Sequence, residues 1–315
     1  MNDIVLAVDL GGTNIRMAAV THDGVVLHLA RAATPKGVTP DQLTALLGRM
    51  AAECECSIPA DRPLSGIAFA APAPAAENGD GVLTKLPNIP TLNGMNLKTA
   101  LAGLFGLPVT IENDATAAAI GENWLGATKG VDNSICVTLG TGIGGGIIIN
   151  GKPLRGADGT GGEIGHICVE PNGVPCGCGS RGCVEQYASA TAIVRMAGEA
   201  GLTMTSSREV FDAAQSGDAL AKAVFQKMGS YLGIMLAGLV NALNPEMIVI
   251  CGGASAGWGA FIDHVKNEIS TRAFAAPATR VHIVRGTLGD DAGILGAAKT
   301  AFLTSQAVLH VSPTG

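Results

Sequence analysis

Three cysteines, Cys176, Cys178 and Cys183, follow His166 in a short stretch broken by Gly177, Gly179 and Gly182. Three thiolates and one imidazole complete a tetrahedral zinc site, and a site closed by four protein ligands is structural rather than hydrolytic. The intervening glycines permit the tight knuckle that ligation requires. A redox disulfide is the competing reading. His166 also ends the box Gly161-Gly162-Glu163-Ile164-Gly165-His166. With one ring nitrogen on zinc, its other nitrogen is left for a ligand hydroxyl. A lone Glu is ordinarily a solvated surface residue, but Glu163 and Glu185 beside the cluster offer acceptors for a polyol.

Two glycine-rich segments point to anion binding. In Asp9-Leu10-Gly11-Gly12-Thr13-Asn14-Ile15-Arg16, glycines let the backbone approach an anion and present N–H donors, Thr13 adds a hydroxyl, and Asp9 can orient a hydrated metal. Alone, such a segment reads as an ordinary hairpin turn. Its recurrence at Gly140-Thr141-Gly142-Ile143-Gly144-Gly145-Gly146 favours phosphate. Neither segment carries the Walker lysine or opens a helix within a βαβ unit, so the common nucleotide fingerprints do not apply. A looser third turn, Gly252-Gly253-Ala254, follows an apolar run, and all three turns are candidates to line one ligand. Asn113-Asp114 precedes a helix-forming Ala-rich run. Asp114 is therefore either an N-cap or a general base at the carboxyl end of a strand, kept ionised by the helix N-terminus. A modest base suits phosphoryl transfer, in which positioning and electrostatics supply most of the catalysis.

The elements that must hold these residues are legible from periodicity and turn signals. Strands are expected over 4–8, 15–20 and 25–30, a helix from 39–41 to about 54, and a strand over 65–71. An irregular Pro/Ala/Gly-rich loop spans 72–94. A helix over 97–104, a strand over 109–111 and a helix after Asp114 complete the first half. Val5 to Thr13 can be laid against Ile135 to Ile143, which argues for a duplicated α/β domain with a cleft between the copies. The expected boundary is near Gly121, giving a small lobe over 1–120 and a large lobe over 121–315 that carries the zinc-binding loop 166–183. A helix over 219–243 is stopped by Asn244-Pro245 and leads to a strand over 247–251. A C-terminal helix near 292–305 is expected to return to the first lobe.

At 315 residues the chain suits two cores. Charged residues make up 15% of it, against a typical ~25%, which implies a large buried fraction or an oligomer. The net charge of −6 is the wrong sign for a nucleic-acid footprint. No basic segment precedes the first apolar run, and the greasiest stretch, 231–243, is shorter than a membrane span. A cytoplasmic protein without membrane or nucleic-acid partners is expected.

The segments Asp9 to Arg16, Glu112-Asn113-Asp114, Leu139 to Gly146, Glu163 to His166 and the cysteine knuckle with Glu185, in this order, resemble the ROK family of bacterial sugar kinases, zinc-containing glucokinases among them, over nearly the whole chain. The resemblance implies a ribonuclease-H-like, actin-like ATPase fold of duplicated α/β domains, with ATP and a hexose in the interdomain cleft and assembly as a homodimer or larger. It implies Asp114 as general base toward the sugar 6-hydroxyl and Asp9 as a holder of Mg-ATP. Gly11, Gly12, Thr13, Gly140, Thr141 and Gly142 would cradle phosphates, and Gly252 and Gly253 would approach the nucleoside. Asn88, Asn113, Asp114, Glu163, His166 and Glu185 would bind the sugar, and His166, Cys176, Cys178 and Cys183 structural Zn2+. The sequence departs from many members at Pro72-Ala73, where they have Pro-Gly, and at Leu92-Asn93, where they have Trp. The expected activity is ATP-dependent phosphorylation of glucose. Its alternatives are a kinase for another hexose or an N-acyl-hexosamine, use of polyphosphate or ADP as donor, and a non-catalytic sugar sensor. Repressors of the family carry a DNA-binding extension ahead of the first strand, where this sequence has three residues.

Overall fold

The computed structural model describes residues 3–72, 81–83 and 89–309. The chain divides into two compact units. The first comprises Met1–Gly130, Pro153–Gly161 and Asp290–Gly315, and the second Val131–Lys152 and Gly162–Gly289.

In the first unit, β1 (Ile4–Leu10), β2 (Asn14–Thr21) and β3 (Val26–Ala33) form a meander, followed by α1 (Pro40–Glu55), β4 (Leu64–Ala71), α2 (Leu97–Phe105), β5 (Val109–Asn113) and α3 (Asp114–Leu125). The sheet order is β3-β2-β1-β4-β5, with β1 antiparallel to β2 and parallel to β4, and β4 parallel to β5. The central strand β1 is almost wholly buried, as a strand covered on both faces must be. The start of α1 is fixed by Thr39, whose hydroxyl accepts the Gln42 N–H while the Gln42 side chain accepts the Thr39 N–H. Pro40 adds a preset φ in the first turn. Leu43, Leu47, Met50 and Cys54 then recur along one face and enter the core.

The C-terminal helix Ala292–Leu309 packs on α3 at unusually short range. A Cβ at Gly121 would overlap the Ala292 carbonyl oxygen, and one at Gly296 would overlap that of Ala117, so both glycines are required for the approach. We expect Gly296→Ala to destabilise the first unit by roughly 1–3 kcal/mol, the usual range for overpacking. A urea melt with an unshifted midpoint would contradict it.

In the second unit, β6 (Ser134–Leu139), β7 (Ile143–Ile149) and the short β8 (Lys152–Pro153) precede α4 (Glu185–Ala188), α5 (Ala190–Glu199), α6 (Ser207–Gln215) and α7 (Ala219–Leu243). Then come β9 (Met247–Cys251), α8 (Trp258–Arg272), α9 (Ala275–Arg280) and β10 (His282–Arg285). The sheet order β8-β7-β6-β9-β10 repeats that of the first unit strand for strand. Here too the first strand is central, antiparallel to the second and parallel to the fourth. The expected strands over 4–8, 15–20, 65–71, 109–111 and 247–251 all form within two residues of their ends.

Among the described residues, α7 alone is long and apolar enough to cross a membrane. Twelve of its residues, including Phe225, Leu232 and Leu236, are buried in the core of the second unit, and this burial is what its composition serves. Asn244, at φ 50°, ends α7 and returns its N–H to the Val240 carbonyl ahead of Pro245.

Candidate active site and metal centre

Near the carboxyl ends of the parallel strands β1 and β5 in the first unit lie Asp9 and Glu112. By register Asp9 of β1 lies opposite Ala70 of β4, and Ala70 opposite Glu112 of β5. Two strand spacings therefore separate Asp9 from Glu112, about 10 Å. The N-cap of α3 is Asn113, whose Oδ1 accepts the N–H groups of Ala115 and Thr116 at 3.0 and 3.1 Å. Asp114 is the first helical residue, and its Oδ1 accepts the Ala115 N–H at 2.8 Å. Capping thus falls to Asn113, and Asp114 stands at the positive end of the helix.

The β1–β2 turn is tied back through its carbonyls. The Gly11 N–H donates to Asn14 O at 3.0 Å, the Thr34 hydroxyl donates to Gly11 O at 2.7 Å, and the Thr34 N–H donates to Thr13 O at 2.8 Å. The N–H groups of Gly12 and Thr13 have no partner among the described residues. Asp9 faces Arg16 across the hairpin, and its Oδ2 accepts from Arg16 Nη2 at 2.7 Å. Arg16 also reaches Asp291 at 3.3 Å and the Asp290 carbonyl. The sequence alone gives Arg16 no role. The hairpin register, which makes it Asp9's direct partner, is the signal that finds it.

The β6–β7 turn in the second unit has the same construction. The Gly140 N–H donates to Gly142 O at 3.0 Å, the Ala190 N–H to Gly140 O at 2.8 Å, and the Thr191 hydroxyl to Thr141 O at 2.8 Å. The N–H groups of Thr141 and Gly142 are left without partners among the described residues. Glu185, at the start of α4, accepts the Ile143 N–H through Oε2 at 3.0 Å. At the end of β9, Gly252 adopts φ 84° and packs so closely on Leu139 that a Cβ would overlap the Leu139 carbonyl. The second and third glycine turns thus meet, with Gly253 opening the short helical turn Gly253–Gly257.

His166, Cys176, Cys178 and Cys183 place one ligand atom each within 4.8 Å of one another. The Sγ atoms of Cys178 and Cys183 are 3.7 Å apart, and His166 Nδ1 lies 3.6 Å from Cys176 Sγ. A tetrahedron with Zn–S bonds of 2.3 Å and Zn–N bonds of 2.0–2.1 Å has edges of about 3.5–3.8 Å, which these two separations match, so the four residues could hold zinc. These separations far exceed a disulfide bond of about 2.05 Å. Burial and the two neighbouring thiols push Cys183 up to about 12, while the Ser180 N–H pulls the exposed Cys178 down. With Nδ1 turned to the sulfurs, His166 Nε2 lies 3.9 Å from Glu163 Oε2. Glu185 Oε1 lies 4.0 Å from Cys176 Sγ, so Glu185 joins the cysteine cluster to the second glycine turn.

Asn88 and Ala73 lie outside the described residues. Leu92 is fully buried in the core of the first unit, in a short turn where the Thr91 hydroxyl donates to Val38 O. Glu112, which opens the Glu112-Asn113-Asp114 segment, and Arg155 carry no role in the sequence alone: Arg155 Nη2 donates to Glu112 Oε2 at 2.5 Å, and the Glu112 side chain is only 3% exposed. Burial pushes the Glu112 carboxyl up, and the Arg155 guanidinium opposes that rise.

Two mixed sheets with one strand order, each with a tied-back glycine turn in its first hairpin, define an actin-like ATPase fold. A profile of the ROK family matches residues 5–302. The glucokinase of Halalkalibacterium halodurans is 38% identical over 312 residues, covering 92% of each chain. A ROK hexokinase structure from Thermus thermophilus matches with a TM-score of 0.85 at 34% identity, covering 96% of this chain and 99% of its own. A ROK family glucokinase from Streptomyces griseus, in complex with glucose and AMPPNP, matches with a TM-score of 0.80 at 31% identity, covering 95% and 99%. The chain belongs to the ROK family.

Proposed function

We propose that this protein is an ATP-dependent hexose kinase that transfers the γ-phosphoryl group of ATP to the 6-hydroxyl of glucose. The observation that carries the reading is the pair of equivalent glycine turns, each with its carbonyls bound back and two adjacent N–H groups left for an anion. Similarity to glucokinases along nearly the full chain supports glucose as acceptor, and the AMPPNP complex of the Streptomyces griseus relative supports ATP as donor.

In this reading Gly11, Gly12 and Thr13 in the first unit, and Gly140, Thr141 and Gly142 in the second, take the phosphates. Gly252 and Gly253 approach the nucleoside. Asp9 keeps Oδ1 for the hydration shell of Mg2+, which usually takes one or two carboxylates together with substrate phosphates. When bound, Mg2+ neutralises charge on the phosphate tail. Asp114 accepts the proton of the sugar hydroxyl as its oxygen bonds to the γ-phosphorus and the β,γ-bridging oxygen leaves with ADP, and the proton then passes to solvent. Asn88, Asn113, Glu163, His166 and Glu185 hold the other hydroxyls. Zinc on His166, Cys176, Cys178 and Cys183 is structural. The low charged fraction supports a homo-oligomer, and we assign the protein to the cytoplasm.

The test is coupled ADP release over a panel of hexoses and N-acyl-hexosamines with ATP, ADP or polyphosphate. Glucose with ATP is expected to give the highest kcat/KM. Sugar binding with no turnover on any donor would make the protein a sensor.

A further inference from the structure

The segment Pro153–Gly161 is an excursion. Its neighbours in sequence, Lys152 and Gly162, belong to the second unit, whereas the segment itself belongs to the first. It closes on itself through the Gly161 N–H, which donates to Arg155 O at 2.9 Å, and bends at Gly156 and Gly159, both at positive φ. From this excursion Arg155, itself 45% exposed, sends its guanidinium onto Glu112 of the edge strand β5.

Glu112 is unusual in that its carboxylate is buried and both of its oxygens are engaged. Oε2 accepts from Arg155 at 2.5 Å, and Oε1 accepts the Asn113 N–H at 3.3 Å. The network continues without a break. Asn113 Oδ1 holds the N–H groups of Ala115 and Thr116, and Asp114 Oδ1 shares the Ala115 N–H. The corner between β5 and α3 is thus clamped at Glu112 on one side and at the helix start on the other, with Asp114 between.

We propose that Arg155 is a positioning residue: through the Glu112 carboxylate it fixes the backbone corner that carries Asp114. A buried carboxylate without a cation is costly, and removing one partner of a buried pair leaves the other uncompensated. Without Arg155 the Glu112 side chain must take a proton or turn toward water, and in either case its grip on the Asn113 N–H changes. An error near 1 Å in the placement of a reacting group can lower rate about a hundredfold. The inference rests on the assignment of Asp114 as base, but the clamp itself can be measured without turnover.

Three variants and two readouts decide it. Arg155→Met is expected to lower kcat for glucose about 10- to 100-fold, with KM for glucose and ATP within twofold of wild type. Arg155→Lys, which keeps the cation, should recover at least a third of wild-type kcat. The double variant Arg155→Met/Glu112→Gln should be no slower than Arg155→Met, because the two side chains act as one unit. Hydrogen exchange is the readout that does not depend on activity. In Arg155→Met the amides of Asn113, Ala115 and Thr116 are expected to exchange at least tenfold faster, with α7 unchanged. A folded Arg155→Met protein with wild-type kcat, or with unchanged exchange at those amides, overturns the proposal. An increase confined to KM for glucose does so too, since it would make Arg155 a sugar ligand. Were wild type inactive on every sugar, the kinase reading alone would fail, and the exchange data would still decide the clamp.

Discussion

Asp114→Asn is expected to lower kcat for glucose phosphorylation about 10²- to 10⁴-fold, the usual contribution of a general base, equivalent to roughly 3–5 kcal/mol. The choice of asparagine separates chemistry from folding. Asp114 is the first residue of α3 and accepts the Ala115 N–H at 2.8 Å, a bond that an asparagine carbonyl can also accept. Loss of the negative charge at the helix start costs about 0.3–1 kcal/mol of stability. The variant should therefore melt within a few degrees of wild type and bind glucose and nucleotide with little change, while turnover collapses. Retention of more than a tenth of wild-type kcat would remove Asp114 from the role of base. A parallel loss of folded protein would make the residue a structural cap.

The second large effect concerns the cysteine knuckle. Cys176→Ser is expected to reduce bound zinc from about one ion per chain to a small fraction, since a closed structural site depends on all four ligands. Metal held at 1,000 times its Kd stabilises a fold by about 4 kcal/mol. Each kcal/mol moves Tm by about 2–4 °C for domains of 150–250 residues, so the melt should fall by roughly 8–16 °C. Activity should fall with it, and the structure supplies the route. Glu185 begins α4 just beyond Cys183, contacts Cys176 Sγ through Oε1, and holds the Ile143 N–H at the second glycine turn through Oε2. A loosened knuckle releases that turn, so KM for ATP is expected to rise in step with zinc loss. Chelator-treated protein that contains no zinc, melts normally and turns over at full rate would contradict both the metal and this coupling.

Gly252 illustrates what a residue pattern can and cannot convey. An apolar run ending in Gly-Gly predicted a strand and a turn, because β-rich sequence and glycine punctuation are local properties. That Gly252 packs against Leu139, bringing the third turn to the second, depends on β6 and β9 being neighbours in parallel register. Asp114 gives a similar lesson. The Asn-Asp pair before an Ala-rich run announced a helix start, but which of the two residues caps it was settled by backbone geometry, with Asn113 at φ −61°, ψ 142° outside the helix.

By itself the sequence determined the meander and its repeat, the two glycine turns, the helix stop at Asn244-Pro245 and the spacing of the His/Cys cluster. All of these rest on neighbours in the chain, where a few residues impose the conformation or supply the ligands. Only the tertiary structure decided the pairing of Asp9 with Arg16, the burial of Glu112 beneath Arg155, and the close packing of the C-terminal helix on α3 at Gly121 and Gly296. Each of these joins residues far apart in the chain or across a hairpin. Whether two charges neutralise one another, or a missing Cβ is essential, depends on what stands opposite in space.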